Sequence, residues 1–246
     1  MNMRNLRLDL CYDGTRYRGW QRQPGVENTI QGKLETALGR ILEEPIEVIG
    51  SGRTDSGVHA YHQVANFHCE SRMPAEDILA ELRRYLPEDI GIYSCKDASP
   101  RFHARYNAKK KTYCYRIWNS NEPCVFIKRF VTVMPEELDI EKMQAAGALL
   151  VGQHDFGAFC TNAKMKKSTN REIFSLDVTR HGNELRITVT GSGFLRNMMR
   201  ILTGTLVEVG KGERSVESIP ELFDSARAEA GFLAQPQGLI LQGVEY

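Results

Sequence analysis

Ile46-Glu47-Val48-Ile49-Gly50-Ser51-Gly52-Arg53-Thr54-Asp55-Ser56-Gly57-Val58-His59-Ala60 carries one strand-like run into another, Val64 to Phe67, without room for a helix between them. Three glycines let the backbone turn sharply and let a ligand approach it. The loop can present one guanidinium, Arg53, and one carboxylate, Asp55, at a sheet edge. Thr-Asp-Ser-Gly is also ordinary turn chemistry, so taken alone the stretch reads as a turn. Its value for the fold is the direct strand-to-strand link.

Working outward, Leu6, Leu8, Leu10 and Tyr12 alternate as a strand that Asp13-Gly14 ends. Thr15 to Gln23 is an aromatic and amide-rich loop with Tyr17, Trp20, Gln21 and Gln23, suited to stacking on a planar ligand or to packing over the sheet. Asn28 and Thr29 are N-cap residues for a helix through Leu42. Pro74 opens a helix through Tyr85, and Ile90 to Ser94 is a strand. The order strand, helix, strand, strand, helix, strand is a split βαβ, or ferredoxin-like, unit. A second pass follows: a strand Lys111 to Trp118, a helix from about Ile140 to Val151, and a hairpin Glu172 to Thr179 with Glu184 to Thr190. A helix Phe194 to Val209 and a strand Leu239 to Tyr246 complete it. The expected fold is α+β: two ferredoxin-like halves, 1–100 and 101–246, joined into one extended, mainly antiparallel sheet with a central cleft and a linker near Ser99 to Ala108.

The chain has 246 residues, 41% hydrophobic and 26% charged, the balance of a soluble globular protein. No apolar run is long enough for a bilayer, and the N-terminal residues lack a signal-peptide core. The six cysteines are scattered without a C-x-x-C pair, which argues against zinc ribbons and redox motifs. A cytoplasmic protein without membrane contact is expected. Net charge is only +1, but Arg101, Arg105, Lys109, Lys110, Lys111, Arg116, Lys128 and Arg129 face a single acid, Glu122, in their stretch. Lys164, Lys166, Lys167 and Arg171 form a second basic cluster. Local basic patches on a near-neutral protein suit a polyanion bound at a defined surface, although a solvated face has the same composition.

P-loop and G-x-S-x-G signatures are absent. His59 and His62 stand near Asp55, but no third metal ligand is indicated, so no metal is assigned. What remains is a carboxylate with basic and aromatic company. Arg53 leaves an extended loop on the same side as Asp55. Arg196 and Arg200 fall at i and i+4 of the last long helix. Tyr113 and Tyr115 share a strand face with Lys111. An ionised Asp beside an arginine can serve as nucleophile, base or electrostatic stabiliser.

These motifs, taken together, resemble the TruA-type tRNA pseudouridine synthases. The resemblance is carried by Tyr12-Asp13-Gly14-Thr15 with Tyr17 and Gly19-Trp20-Gln21; Thr29-Ile30-Gln31; Gly52 to His59; and Arg101-Phe102-His103-Ala104-Arg105 followed by Tyr113 and Tyr115. Gly152 to Phe156, Gly193 to Arg196 through Arg200, and Gly238-Leu239 continue it, in order over nearly the full length. Ala234-Gln235-Pro236 stands where Ala-Pro-Pro is more usual, and Ser56 where alanine is common.

The resemblance implies isomerisation of uridine to pseudouridine in the tRNA anticodon stem-loop, without metal or cofactor. A paired uridine, at about positions 38 to 40, must leave the stack before it can be attacked. By carry-over Asp55 is the nucleophile, acting on the uracil ring or on the sugar C1′. Tyr113 stacks on the target base, Arg200 is the basic partner of the aspartate, and Arg53 helps extrude the nucleotide. Arg196, Lys109, Lys110 and Lys111 are candidate substrate contacts, and a homodimer is implied. The alternative is an RNA-binding module without catalysis, since ferredoxin-like sheets with aromatics bind RNA. Such a module has no use for a carboxylate near phosphate.

Overall fold

The alternation of Leu6, Leu8, Leu10 and Tyr12 becomes strand β1 (Arg4–Tyr12), with all four side chains buried. Each of the three leucines contributes about 2 kcal/mol of burial free energy. The computed structural model describes residues 3–161 and 168–246. Thr29 caps α1 (Ile30–Leu42) by accepting the Gly32 N–H, and the helix buries Ile30, Leu34, Ala37, Leu38 and Leu42. Then come β2 (Val48–Gly50), β3 (His59–Cys69), α2 (Ala75–Tyr85) and β4 (Ile90–Asp97). β1 runs antiparallel between β4 and β3, pairing Leu8 with Cys95 and with Ala65, while β2 lies antiparallel on β3. This is the split βαβ arrangement, with α1 and α2 packed on each other.

The compact unit does not stop near residue 100. It runs to Lys109 and includes Leu241–Tyr246. The stretch read as a linker is tied down by two buried asparagines. Asn5 Nδ2 donates to the carbonyls of Ser99 and Phe102, both at 2.8 Å, and Asn66 Oδ1 accepts the Ala104 N–H at 2.8 Å. The Tyr246 hydroxyl donates to the Ala104 carbonyl at 2.7 Å. A linker leaves its backbone to water; this one satisfies it internally.

The second unit, 110–240, contains β5 (Lys110–Trp118), β6 (Thr132–Val133), α3 (Ile140–Leu149), β7 (Gly152–Asp155), β8 (Asn170–His181), β9 (Glu184–Gly191) and α4 (Met198–Gly210). Its strands are ordered β5-β9-β8-β7, antiparallel, with β6 added parallel to β5. Gly182-Asn183 closes the β8–β9 hairpin, with His181 opposite Glu184. α3 and α4 pack together, and α3 lies on β8. The last strand is β10 (Leu239–Glu245), whose residues from Leu241 onward belong to the first unit, beside β3. The fold is α+β, with ten mostly antiparallel strands and four α-helices among the described residues. None of these helices is long and apolar enough to cross a membrane.

One ion cluster fixes β5 to β9. Arg116 grips both Glu184 oxygens at 2.7 Å, and Arg186 adds a contact at 2.6 Å. Arg116, counted by sequence with the polyanion-facing basic run, is therefore engaged in a structural pair. Burial raises the Glu184 pKa, but hydrogen bonds from Arg116 and Arg186 outweigh it and bring it from 4.5 to about 2. A carboxylate with a depressed folded pKa stabilises the fold above its unfolded value and loses that contribution as pH falls. Glu184→Gln is expected to cost about 3 kcal/mol at pH 7. The difference from wild type should shrink between pH 4.5 and 2, measured by urea unfolding across that range.

Candidate active site

In the first unit, Ser51 to Val58 bridges β2 and β3 and is fastened at several points. The Ser51 N–H donates to the Val64 carbonyl at 2.7 Å. Gln63 Nε2 donates to the Gly52 carbonyl at 3.2 Å, and the Tyr12 hydroxyl meets Thr54 Oγ1 at 2.9 Å in the core. The Trp20 N–H donates to the Thr54 carbonyl at 3.0 Å. Ser56 Oγ and the Gly57 N–H both donate to the Tyr17 carbonyl, at 3.1 and 3.3 Å. The Val58 N–H closes a turn on the Asp55 carbonyl at 3.1 Å. Gly57 holds its third position at φ 79°, the left-handed geometry that such a turn demands of glycine.

Tyr17 to Trp20 thus belongs to the support of the loop. The Tyr17 and Trp20 side chains are 4% and 2% exposed, which decides between stacking on a ligand and packing over the sheet in favour of packing. Tyr17 is itself held by its hydroxyl, which donates to Asp89 Oδ1 at 2.5 Å. Gly19, at φ 91°, allows the close approach, since a Cβ there would stand 2.8 Å from the Thr54 carbonyl oxygen. Burial pushes the Tyr12 pKa up to about 12, despite hydrogen bonds from Thr54 and Gln63, so its hydroxyl stays neutral at ordinary pH. Thr54 points inward and is buried. Arg53 is exposed and Asp55 half-buried, so both predicted chemical residues lie outside the core on either side of the inward threonine.

The two histidines do separate structural work. His59 Nδ1 accepts the Gly14 N–H at 3.0 Å, and His62 Nε2 lies 3.1 Å from Asp9 Oδ1. Among the described residues no group of three His, Cys, Asp or Glu side chains is placed to hold a metal ion.

In the second unit, Tyr113 on β5 is 7% exposed and meets Phe194 edge to face, with centroids 5.1 Å apart. Tyr115 is fully buried. Its hydroxyl donates to the Gln235 carbonyl at 2.7 Å and lies 2.7 Å from Thr132 Oγ1. Tyr115 therefore holds the chain near Pro236. Arg200 lies in the first turn of α4, where its Nε donates to the Ala234 carbonyl at 2.6 Å. Arg196 does not share that helix. α4 begins at Met198, after Asn197 takes a left-handed conformation at φ 63°, which asparagine tolerates better than most residues. Arg196 stands exposed before it, so the shared-face argument for Arg196 and Arg200 does not hold.

Lys109 and Lys110 are exposed and Lys111 is half-buried; Lys110 Nζ sits 5.6 Å from the Phe174 ring centre. Lys109 closes the first unit, and Lys110 and Lys111 begin β5 in the second. Lys164, Lys166 and Lys167 lie outside the described residues. Burial lowers the pKa of Arg171, the remaining member of that cluster.

Two features have little local signature in the chain. Phe194, the ring partner of Tyr113, falls within the stretch whose pattern predicts a helix over Phe194 to Val209. Gln63 and Tyr12 support the loop from inside the sheet; the signal for Gln63 was an amide beside the apolar run Val64-Ala65.

Known proteins agree with the motif pattern. The tRNA pseudouridine synthase family model matches residues 11–107 and 146–246. A protein named tRNA pseudouridine synthase A 2 from Bacillus cereus is 42% identical over 245 residues, covering 99% of this chain and 100% of the relative. A tRNA pseudouridine synthase A from a Bacillus species (strain KSM-64) is 46% identical over 246 residues, with 99% and 100% covered. A tRNA pseudouridine synthase A 2 from Clostridium perfringens is 43% identical over 245 residues, with the same coverage.

Proposed function

The chain belongs to the tRNA pseudouridine synthase family, and from that premise we propose that it isomerises uridine in the anticodon stem-loop of tRNA with Asp55 as the nucleophile. The target lies at about positions 38 to 40, inside a stem, and so must be flipped out at a cost of a few kcal/mol. The reaction balances within the nucleotide. The bond from C1′ to N1 breaks, a bond from C1′ to C5 forms, the C5 proton leaves and N1 takes one up. No net oxidation occurs, so the chemistry requires no external reductant. Asp55 attacks either the uracil ring or C1′; both paths need an ionised carboxylate held still.

The observation that carries this reading is the fastening of the loop. Its carboxylate stands at the end of a backbone held by Tyr12, Gln63, Trp20 and Tyr17, the preorganisation that a nucleophile needs. Arg53, exposed on the same loop, is proposed to fill the place of the flipped nucleotide. Tyr113 is proposed to stack on the base once the Phe194 ring that meets it edge to face moves aside, and Arg200 is proposed as the basic partner of Asp55. Lys109, Lys110, Lys111 and Arg196 are proposed to meet phosphates, making affinity salt-dependent. The protein is proposed to work as a homodimer in the cytoplasm.

The test uses purified protein, a tRNA transcript tritiated at uracil C5, and a chelator in place of added metal. Tritium release with pseudouridine formation supports the proposal; intact label after long incubation removes it. For Tyr113, stacking predicts that Tyr113→Phe keeps the rate within about tenfold. Tyr113→Ala loses roughly 10- to 100-fold, the worth of one base–aromatic stack. Equal losses in the two, per folded molecule, point to the hydroxyl instead.

A further inference from the structure

We propose that Gln63 is a positioning residue for Asp55, orienting the catalytic loop through a saturated side-chain amide; the inference rests on the nucleophile reading of Asp55. Gln63 is completely buried in β3. A buried amide is costly unless its two donors and its acceptor oxygen are all engaged. Here they are. Nε2 donates to the Gly52 carbonyl at 3.2 Å and to the Tyr12 hydroxyl oxygen at 3.4 Å. Oε1 accepts from the Ser51 hydroxyl at 2.5 Å and from the Val64 N–H at 3.2 Å.

The orientation of the amide follows from its partners. A backbone carbonyl can only accept and a backbone N–H can only donate, so turning the amide over would set oxygen against the Gly52 carbonyl and NH₂ against the Val64 N–H. Tyr12 accepts from Gln63 and meets Thr54 Oγ1 at 2.9 Å. One side chain therefore ties Ser51 and Gly52 directly, and Thr54 through Tyr12. Arg53 is bracketed, and Asp55 is the next residue along. At this position β3 pairs with β1 through its backbone, Gln63 opposite Leu10; an apolar residue there would leave the Gly52 carbonyl and the Ser51 hydroxyl without these buried partners. The polar burial at Gln63 makes physical sense as a means of setting the loop.

Gln63→Glu separates orientation from packing. It is nearly isosteric and keeps an acceptor for Ser51 and Val64. When ionised, it turns a second oxygen toward the Gly52 carbonyl and has no proton to give. Burial raises the pKa of such a carboxyl, and protonation restores one donor. At pH 8 the variant is expected to lose about 100-fold in kcat, the effect of a small misplacement of a reacting group, with KM for tRNA within about threefold. Its activity should recover as pH falls toward 6, relative to wild type at each pH. Gln63→Leu should lose kcat without that recovery. Tyr12→Phe, which removes only a hydroxyl, should show a smaller kcat-selective loss.

Rates are taken per folded molecule, with thermal unfolding measured alongside. Wild-type kcat in Gln63→Leu, which has no proton to regain, overturns the inference, as does wild-type kcat in Gln63→Glu at every pH from 6 to 9. So does a loss in Gln63→Glu that is pH-independent, or one that appears in KM alone. If Gln63→Glu does not fold, unchanged kcat in Tyr12→Phe overturns it equally. Asp55→Ala is assayed in parallel: turnover there removes the nucleophile reading itself, and is distinguishable from a failure confined to Gln63.

Discussion

Asp55→Asn is expected to end pseudouridine formation, with a loss of at least about 10⁴-fold in single-turnover rate, and to leave tRNA affinity within about threefold. Asparagine has the shape of aspartate, and the turn is closed by the Val58 N–H on the backbone carbonyl of residue 55, which the substitution leaves in place. What disappears is the charge and with it the proposed nucleophile. A neutral amide oxygen cannot form the covalent bond on either proposed path. Binding, in contrast, comes from cations meeting phosphate, and a carboxylate contributes nothing favourable to it. The two effects therefore separate. Tritium release measures one and filter binding the other. Turnover within tenfold of wild type contradicts the assignment, and a parallel loss of binding would show that Asp55 holds the fold of the site rather than the chemistry.

Gly57→Val is expected to lose about 100-fold or more in kcat without removing any charged group. Gly57 stands at φ 79°, where a β-branched residue is a steric outlier costing roughly 1–2 kcal/mol or more. To relieve it, the turn from Asp55 to Val58 must open. That withdraws the Gly57 N–H and Ser56 Oγ from the Tyr17 carbonyl and moves the carboxylate. A displacement near 1 Å is enough for a loss of that size. Gly57→Ala should fall between the two, since alanine tolerates the region better than valine. The measurement is kcat beside tRNA affinity and the unfolding midpoint. A fully active Gly57→Val protein contradicts the view that the turn sets Asp55. Gly52, which by composition looked equivalent, has no positive φ, so of these two glycines the conformational demand belongs to Gly57.

Local periodicity made much of this architecture legible in the chain. The alternation in β1, the Thr29 cap of α1, the proline opening α2 and the last strand all depend on neighbours a few residues away. The loop that carries Asp55 was legible as a loop for the same reason. What was missed depends on distant partners. Ser99 to Ala108 reads as a linker because nothing local reveals that Asn5 and Asn66 hold it. The apolar stripe through Leu195 extends an expected helix past its true start, because Asn197 turns left-handed just before Met198. β6 and β7, of two and four residues, are too short to show a period. The support from Gln63 and Tyr12 needs the register that places Leu10 opposite Gln63 and Tyr12 opposite Ala60. No spacing within either strand announces that register.

The most direct measurement is a position-resolved pseudouridine map of unmodified tRNA incubated side by side with wild-type protein and with Asp55→Ala. Conversion within the anticodon stem-loop is expected from the wild type, at about positions 38 to 40 where the base must be flipped from a stem, and none from the variant. Pseudouridine elsewhere in the tRNA, or in the tRNA treated with Asp55→Ala, contradicts the proposed function.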